Sequence, residues 1–206
     1  MQRSNEVSVF TSGDSPLTMT IGGTIVSYTA SGGAPYISLN GGDFLYIADG
    51  SWSAPLNPLT MLIGFRPNSL QNAFLCGIWP TTTQKSFLLE IDSSGNLHAR
   101  ATSDGSTIKT ATLASAYTAN AWHLAALRLT GNTQLLAYCN ANVAELTTAV
   151  PTIAQNSTAE FAIGAADTVP TSSFNGDVAI CVVVSSIVHQ DHLDRMYYHM
   201  LRFTGA

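Results

Sequence analysis

Apolar and polar residues alternate most plainly between Phe87 and Ala101. Phe87, Leu89 and Ile91 are offset by one from Leu88, Glu90 and Asp92, and Leu97, Ala99 and Ala101 are offset likewise from His98 and Arg100. A period of two lays each set on one face of a strand. With Ser93, Ser94 and Gly95 as a three-residue loop and Gly95 left-handed, Asp92 faces Asn96, Glu90 faces His98, and Leu88 faces Arg100. That register keeps the apolar face intact. Thr60 to Phe65, Ala73 to Ile78, Leu124 to Leu129, Leu135 to Cys139, Glu160 to Ile163 and Val178 to Val184 predict further strands. Several are nearly continuous in apolar residues, which suits the middle of packed sheets.

Turn signals separate these runs: Asn40-Gly41-Gly42-Asp43, Asp49-Gly50, Ser94-Gly95-Asn96, Asp104-Gly105, Gly131-Asn132 and Asn175-Gly176. Their recurrence predicts an antiparallel all-β domain. Near the C-terminus the period changes. Leu193, Met196, Tyr197, Met200 and Leu201 recur at three- and four-residue intervals and predict an amphipathic helix from about Gln190 to Phe203. Asp191 and Asp194 at its start and Arg202 at its end suit the helix dipole.

Residues 1–34 read as an N-terminal extension, with β-prone runs at Val7 to Phe10, Leu17 to Ile21 and Thr24 to Tyr28. Gly22-Gly23 is placed to turn a hairpin between the last two. This segment is either the opening hairpin of the sandwich or an arm that docks on a partner. Residues 35–206 form the main domain.

Composition narrows the partners. Only 10% of the 206 residues are charged, against a usual quarter or so, and the net charge is -5. No basic cluster could neutralise a phosphate backbone, so nucleic acid is not expected. No run approaches the roughly eighteen apolar residues that span a bilayer, and the N-terminus lacks the apolar core of a signal peptide. Cys76, Cys139 and Cys181 lie far apart in apolar runs and read as buried free thiols, and their odd number points to folding in a reducing compartment.

The order of motifs resembles the concanavalin A-like lectin and glucanase superfamily, in its laminin G-like and pentraxin-like branch, from about Pro35 onward. The residues that carry the resemblance are Tyr36-Ile37-Ser38-Leu39-Asn40-Gly41, Leu59 through Phe65-Arg66-Pro67, Asn120-Ala121-Trp122-His123, Leu135-Leu136-Ala137-Tyr138-Cys139-Asn140, Phe161-Ala162-Ile163-Gly164 and Phe174-Asn175-Gly176-Asp177-Val178. Ala141 stands where that family usually has a turn glycine, and His189 where it has a Ser or Asp cap. The resemblance implies a two-sheet antiparallel jelly-roll sandwich with a short C-terminal helix.

It implies no single function, so each candidate chemistry needs its own residues. Retaining glucanases of this fold carry Glu-x-Asp-x-x-Glu on a strand. Here Glu90-Ile91-Asp92 begins that motif, but its third position falls at Ser94 or Gly95, which cannot donate a proton. Glu90, Asp92, His98 and Arg100 then read as a solvated charged ladder, and no catalytic residue is assigned. His189, His192 and His199 read as a solvated helix face rather than metal ligands, and His123 as a packing residue. Calcium, common in the resembled branch, would draw on Asp43, Asp49, Asp167 and Asp177, which are isolated in loops where such an ion wants six to eight oxygens. No metal or cofactor is assigned. Trp52 and Trp79, beside hydroxyl and amide groups, are the candidate platforms for a sugar ring, whereas Trp122 reads as core.

Two function classes remain. The first is a non-catalytic virion structural protein of a tailed phage, a capsid decoration or fibre component assembled in the host cytoplasm, whose partners are other virion proteins or further copies of itself. The second is a carbohydrate-binding lectin module for cell-surface or extracellular glycans.

Overall fold

The computed structural model describes residues 7–9, 17–22, 28–29, 36–49, 56–166 and 172–204. The first strands are β1 (Val7–Val9), β2 (Leu17–Gly22), β3 (Tyr28–Thr29), β4 (Tyr36–Asn40) and β5 (Phe44–Ile47). Then come β6 (Leu59–Pro67), β7 (Ala73–Ile78), β8 (Phe87–Ile91), β9 (Leu97–Ala101) and β10 (Lys109–Leu113). The chain continues through β11 (His123–Thr130), β12 (Gln134–Cys139), β13 (Asn142–Leu146), β14 (Phe161–Ile163) and β15 (Asn175–Val184) to the helix α1 (Gln190–Thr204). No helix among the described residues is long and apolar enough to cross a membrane.

These strands make two antiparallel sheets, an eight-stranded one in the order β1-β2-β5-β14-β7-β8-β9-β10 and a seven-stranded one in the order β13-β12-β11-β6-β15-β4-β3. The antiparallel all-β domain expected from the strand pattern, and the two-sheet jelly roll that the resemblance implies, are both present. Its core lies between the sheets and includes Phe65, Leu75, Leu89, Leu97, Leu127, Leu135 and Phe174, all buried.

The Gly22-Gly23 hairpin is a correction. β2 pairs with β5 in the eight-stranded sheet, whereas β3 pairs with β4 in the other. β2 and β3 thus lie in different sheets where a local pairing was expected, because β2 finds its hydrogen-bond partners in β1 and β5 and β3 finds its partner in β4.

Helix α1 explains why β11 and β12 are apolar on both faces. Ala125, Leu127 and Leu129 face the inner core, while Leu124, Ala126, Leu136 and Tyr138 face outward and are covered by Leu193 and Met200 of α1. A strand buried on both sides reads as a continuous apolar run. The helix is anchored at its start by His189, whose carbonyl accepts from the Leu193 amide at 3.2 Å, and along its length by the Tyr138 hydroxyl, which donates to Asp194 at 2.8 Å. His192 is exposed on its outer side.

The β12–β13 turn carries a testable strain. Cys139 pairs with Asn142, and the two turn residues, Asn140 and Ala141, have φ of 51° and 70°. A left-handed backbone costs an L-residue about 1–2 kcal/mol, and the extra freedom of glycine in the unfolded chain takes back about half of that. Ala141→Gly should therefore stabilise the domain by about 0.5–1 kcal/mol, a rise of roughly 1–4 °C in Tm at this chain length. A lower Tm in thermal denaturation would contradict it.

Candidate functional site

The strand pair with the two carboxylates has the predicted register: Glu90 opposite His98, Leu88 opposite Arg100, and Gly95 left-handed at φ 84°. Both carboxylates are occupied. Glu90 forms an ion pair with Arg100. Asp92 closes the turn: its Oδ1 accepts from the amides of Ser94 and Asn96 at 2.8 and 3.0 Å, and its Oδ2 accepts from the Asn96 side chain and from His98 Nε2. Burial raises the pKa of Asp92, but the bonds from Asn96, His98 and Ser94 outweigh it and bring the group to about 2. Burial raises Glu90 against the opposing pull of Arg100 and His98. The ladder is half-buried rather than solvated as expected, with the Glu90 side chain only 14% exposed. Ser94 and Gly95, at the third motif position, bring no acid to the pair.

Trp79 lies on the outer face of the eight-stranded sheet, 6% exposed, in a cluster with Phe74, Leu88 and Ala166. Its ring is covered there, and stacking on a sugar would require that cover to move. Trp52 and Asp167 lie outside the described residues. Trp122 is buried beneath α1 among Leu124 and Tyr138, as the core reading expected.

At the end of the sandwich that carries the Trp79 loop, the loops after β7, β9, β11 and β13 come together. Ser86, Thr102 and Gln155 tie three of them by backbone and hydroxyl hydrogen bonds of 2.7–2.9 Å. Ser103, Asp104, Thr107, Lys109, Pro151 and Thr152 line a polar cleft of about 220 Å³ there. Asp104 is held in place by its own loop. Its Oδ1 accepts from the Thr107 and Ser106 amides at 2.6 and 2.8 Å and from the Thr102 hydroxyl at 2.9 Å. The bonds from Thr107, then Ser106 and Thr102, hold its carboxyl below the usual range. The sequence marked Asp104-Gly105 only as a turn, and the cleft arises from loops distant along the chain.

Other polar clusters are structural. Arg66 donates through Nε to Asp177 Oδ2 at 2.7 Å and lies between the rings of Tyr36 and Trp122, 5.6 and 5.3 Å from their centroids. Ser38 donates to the other Asp177 oxygen at 2.5 Å. Asp177 is thereby spoken for as a partner of arginine, and among the described residues no three His, Cys, Asp or Glu gather as metal ligands. His123 is buried. Asn140 accepts from the Leu124 amide through Oδ1 and so turns its Nδ2 toward His123 Nδ1 at 2.6 Å, which leaves His123 Nε2–H to donate to the Thr118 carbonyl at 2.9 Å. Burial lowers the pKa of His123, in keeping with this neutral tautomer.

A laminin G-type family model, described as concanavalin A-like lectin/glucanases superfamily, matches residues 31–191. The chain belongs to this superfamily. No curated protein sequence matches it. Among solved structures, this lectin/glucanase domain is similar to domain 4 of AbnA, a GH43 extracellular arabinanase from Geobacillus stearothermophilus, in complex with arabinotriose. The identity is 17%, with 87% of this chain and 88% of that one covered, at a TM-score of 0.66. It is also similar to the botulinum neurotoxin serotype D ligand binding domain in complex with N-acetylneuraminic acid (10% identity, 94% and 50% covered, TM-score 0.66). The botulinum neurotoxin DC binding domain in complex with rat synaptotagmin II is a third neighbour (7% identity, 95% and 51% covered, TM-score 0.63). The chain spans about half the length of the neurotoxin domains. At these identities the likeness is one of fold.

Proposed function

We propose that this chain is a non-catalytic carbohydrate-binding module. One observation carries the reading. In a superfamily of lectins and glucanases, the strand that would supply catalysis has one carboxylate paired with Arg100 and the other closing a turn, with no acid at the third position. Retaining hydrolysis needs a nucleophile and an acid flanking the same bond. What remains is recognition, which the hydroxyl- and amide-rich loop end supports. There Asp104, fixed through Oδ1, offers Oδ2 to a sugar hydroxyl, and Lys109 supplies a donor. A carboxylate already held in place loses little entropy on binding.

The neighbours that hold arabinotriose and N-acetylneuraminic acid support the choice of ligand class. A virion role is a narrower reading. It rests on composition, and it is compatible with glycan binding.

A glycan array followed by titration calorimetry of the hits tests the proposal. The expected result is a defined glycan whose affinity falls at least tenfold in Lys109→Ala at unchanged Tm, and also in Trp52→Ala. Absence of any glycan ligand would overturn it, as would hydrolysis of a β-glucan that is lost in Glu90→Gln.

A further inference from the structure

The sequence holds two Asn-Gly pairs, Asn40-Gly41 and Asn175-Gly176. The fold sets them side by side, because Asn40 at the end of β4 pairs with Asn175 at the start of β15. Their surroundings differ. Gly176 is buried inside the seven-stranded sheet, with Leu39 on one side and Pro67 on the other. Asn175 is tied down on both sides of that glycine's peptide. Its amide donates to Gln71 Oε1 at 2.9 Å, its carbonyl accepts from the Asn68 amide at 3.1 Å and from Gln71 Nε2 at 2.8 Å, and its Oδ1 accepts from Asn68 Nδ2 at 2.8 Å. Gly41, by contrast, lies beyond the end of β4, exposed, with a left-handed φ of 86°. Among the described residues, a Cβ at Gly41 would meet only the Cβ of Asn175, at 3.6 Å. Asn40 is exposed too, and its Oδ1 accepts from the Gly42 amide at 3.0 Å.

We propose that Asn40 is a self-modifying site that converts to isoaspartate and aspartate in the folded protein with water as the only co-reactant, while Asn175 stays intact. The Gly41 nitrogen loses its proton to solvent base and attacks Asn40 Cγ, an approach that glycine leaves open because it has no Cβ. A C–N bond forms, the Cγ–Nδ2 bond breaks, and Nδ2 departs as ammonia, which leaves a cyclic imide. Water then opens the imide at either carbonyl. Breaking the Cγ–N bond gives aspartate. Breaking the bond from the Asn40 backbone carbonyl carbon to the same nitrogen gives isoaspartate, with the main chain running through Cβ and Cγ. One water is consumed and one ammonia released, and nothing is oxidised or reduced. The Gly42 amide donates to the oxygen on which negative charge gathers as Gly41 attacks, and so favours the first step. Closing the imide requires the backbone at the asparagine to rotate. A turn outside the sheets allows this at low cost, whereas a peptide held between two strands must first break its ladder.

The Asn40 turn joins β4 of one sheet to β5 of the other, and the buried Asp43 follows directly. Isoaspartate would lengthen that link by one main-chain carbon and add a negative charge to a chain of net charge -5. The turn would thus record the age of the molecule.

The test incubates the full chain in mildly alkaline buffer, folded and in urea, then maps peptides by mass and assays isoaspartate by enzymatic methylation. In the folded chain, conversion at Asn40 is expected to be at least tenfold faster than at Asn175, and in urea the two should react at similar rates. Asn40→Gln should remove the isoaspartate signal, Gly41→Ala should slow it at least tenfold, and Asn175→Gln should leave it unchanged. Equal conversion of the two asparagines in the folded chain would overturn the proposal, as would reaction at Asn175 alone or an Asn40 that stays unchanged.

Discussion

Phe65→Ala should destabilise the domain by about 3–5 kcal/mol, a large share of the 5–15 kcal/mol that holds a typical domain together. Phe65 sits in β6 between β11 and β15, is fully buried, and points into the core. Its ring meets Phe174 and Tyr117 edge-on with centroids 6.1 Å away, and His123 at 5.4 Å. Removing it opens a void bordered by three rings on different elements, which cannot all move inward without breaking strand pairing. Tyr117 is further pinned by its hydroxyl, which donates to the Asp92 carbonyl at 2.7 Å. The void should stay largely open and the cost should fall near the top of the range. Urea unfolding followed by tryptophan fluorescence reports the change, and a midpoint near that of the unsubstituted protein would contradict this account of the core.

The second large effect is expected at Gly105. Its φ of +74° is left-handed, and a Cβ there would lie 1.6 Å from the Thr83 carbonyl oxygen and 2.3 Å from Gln155 Oε1. Gly105→Ala thus combines a backbone cost of about 1–2 kcal/mol with crowding worth about 1–3 kcal/mol. The sum, about 2–5 kcal/mol, should be concentrated where the Thr83 and Gln155 loops meet. Limited proteolysis is expected to cut the chain faster near residues 80–86 and 102–108, with a lower Tm. If glycan binding resides in the neighbouring cleft, the same variant weakens it. Equal proteolysis of the two proteins would show that the loop end absorbs a side chain without cost.

The parts legible in the sequence were those governed by local rules. The Glu90–His98 register followed from a period of two and one glycine in a three-residue loop, and α1 followed from the recurrence of Leu193, Met196, Tyr197 and Met200. The edge strands β10 and β13 were missed. Their residues, such as Thr110, Thr112, Asn142 and Glu145, are polar because one side of an edge strand meets solvent, and the alternation that betrays inner strands fades there. Spatial pairings were also illegible. Arg66 and Asp177 are 111 positions apart, and nothing in either segment names the other. The cleft at Asp104 depends on loops whose only sequence signature is a surplus of Ser and Thr.

Helix α1 has a consequence for how the protein could be presented to a ligand. It seals the outer surface of β11 and β12, so that surface is free to face a neighbour or a support without obstructing the loop cluster that holds Asp104. Immobilisation through the exposed Tyr198 side of the helix should therefore leave sugar capture intact, whereas attachment through Lys109 should abolish it.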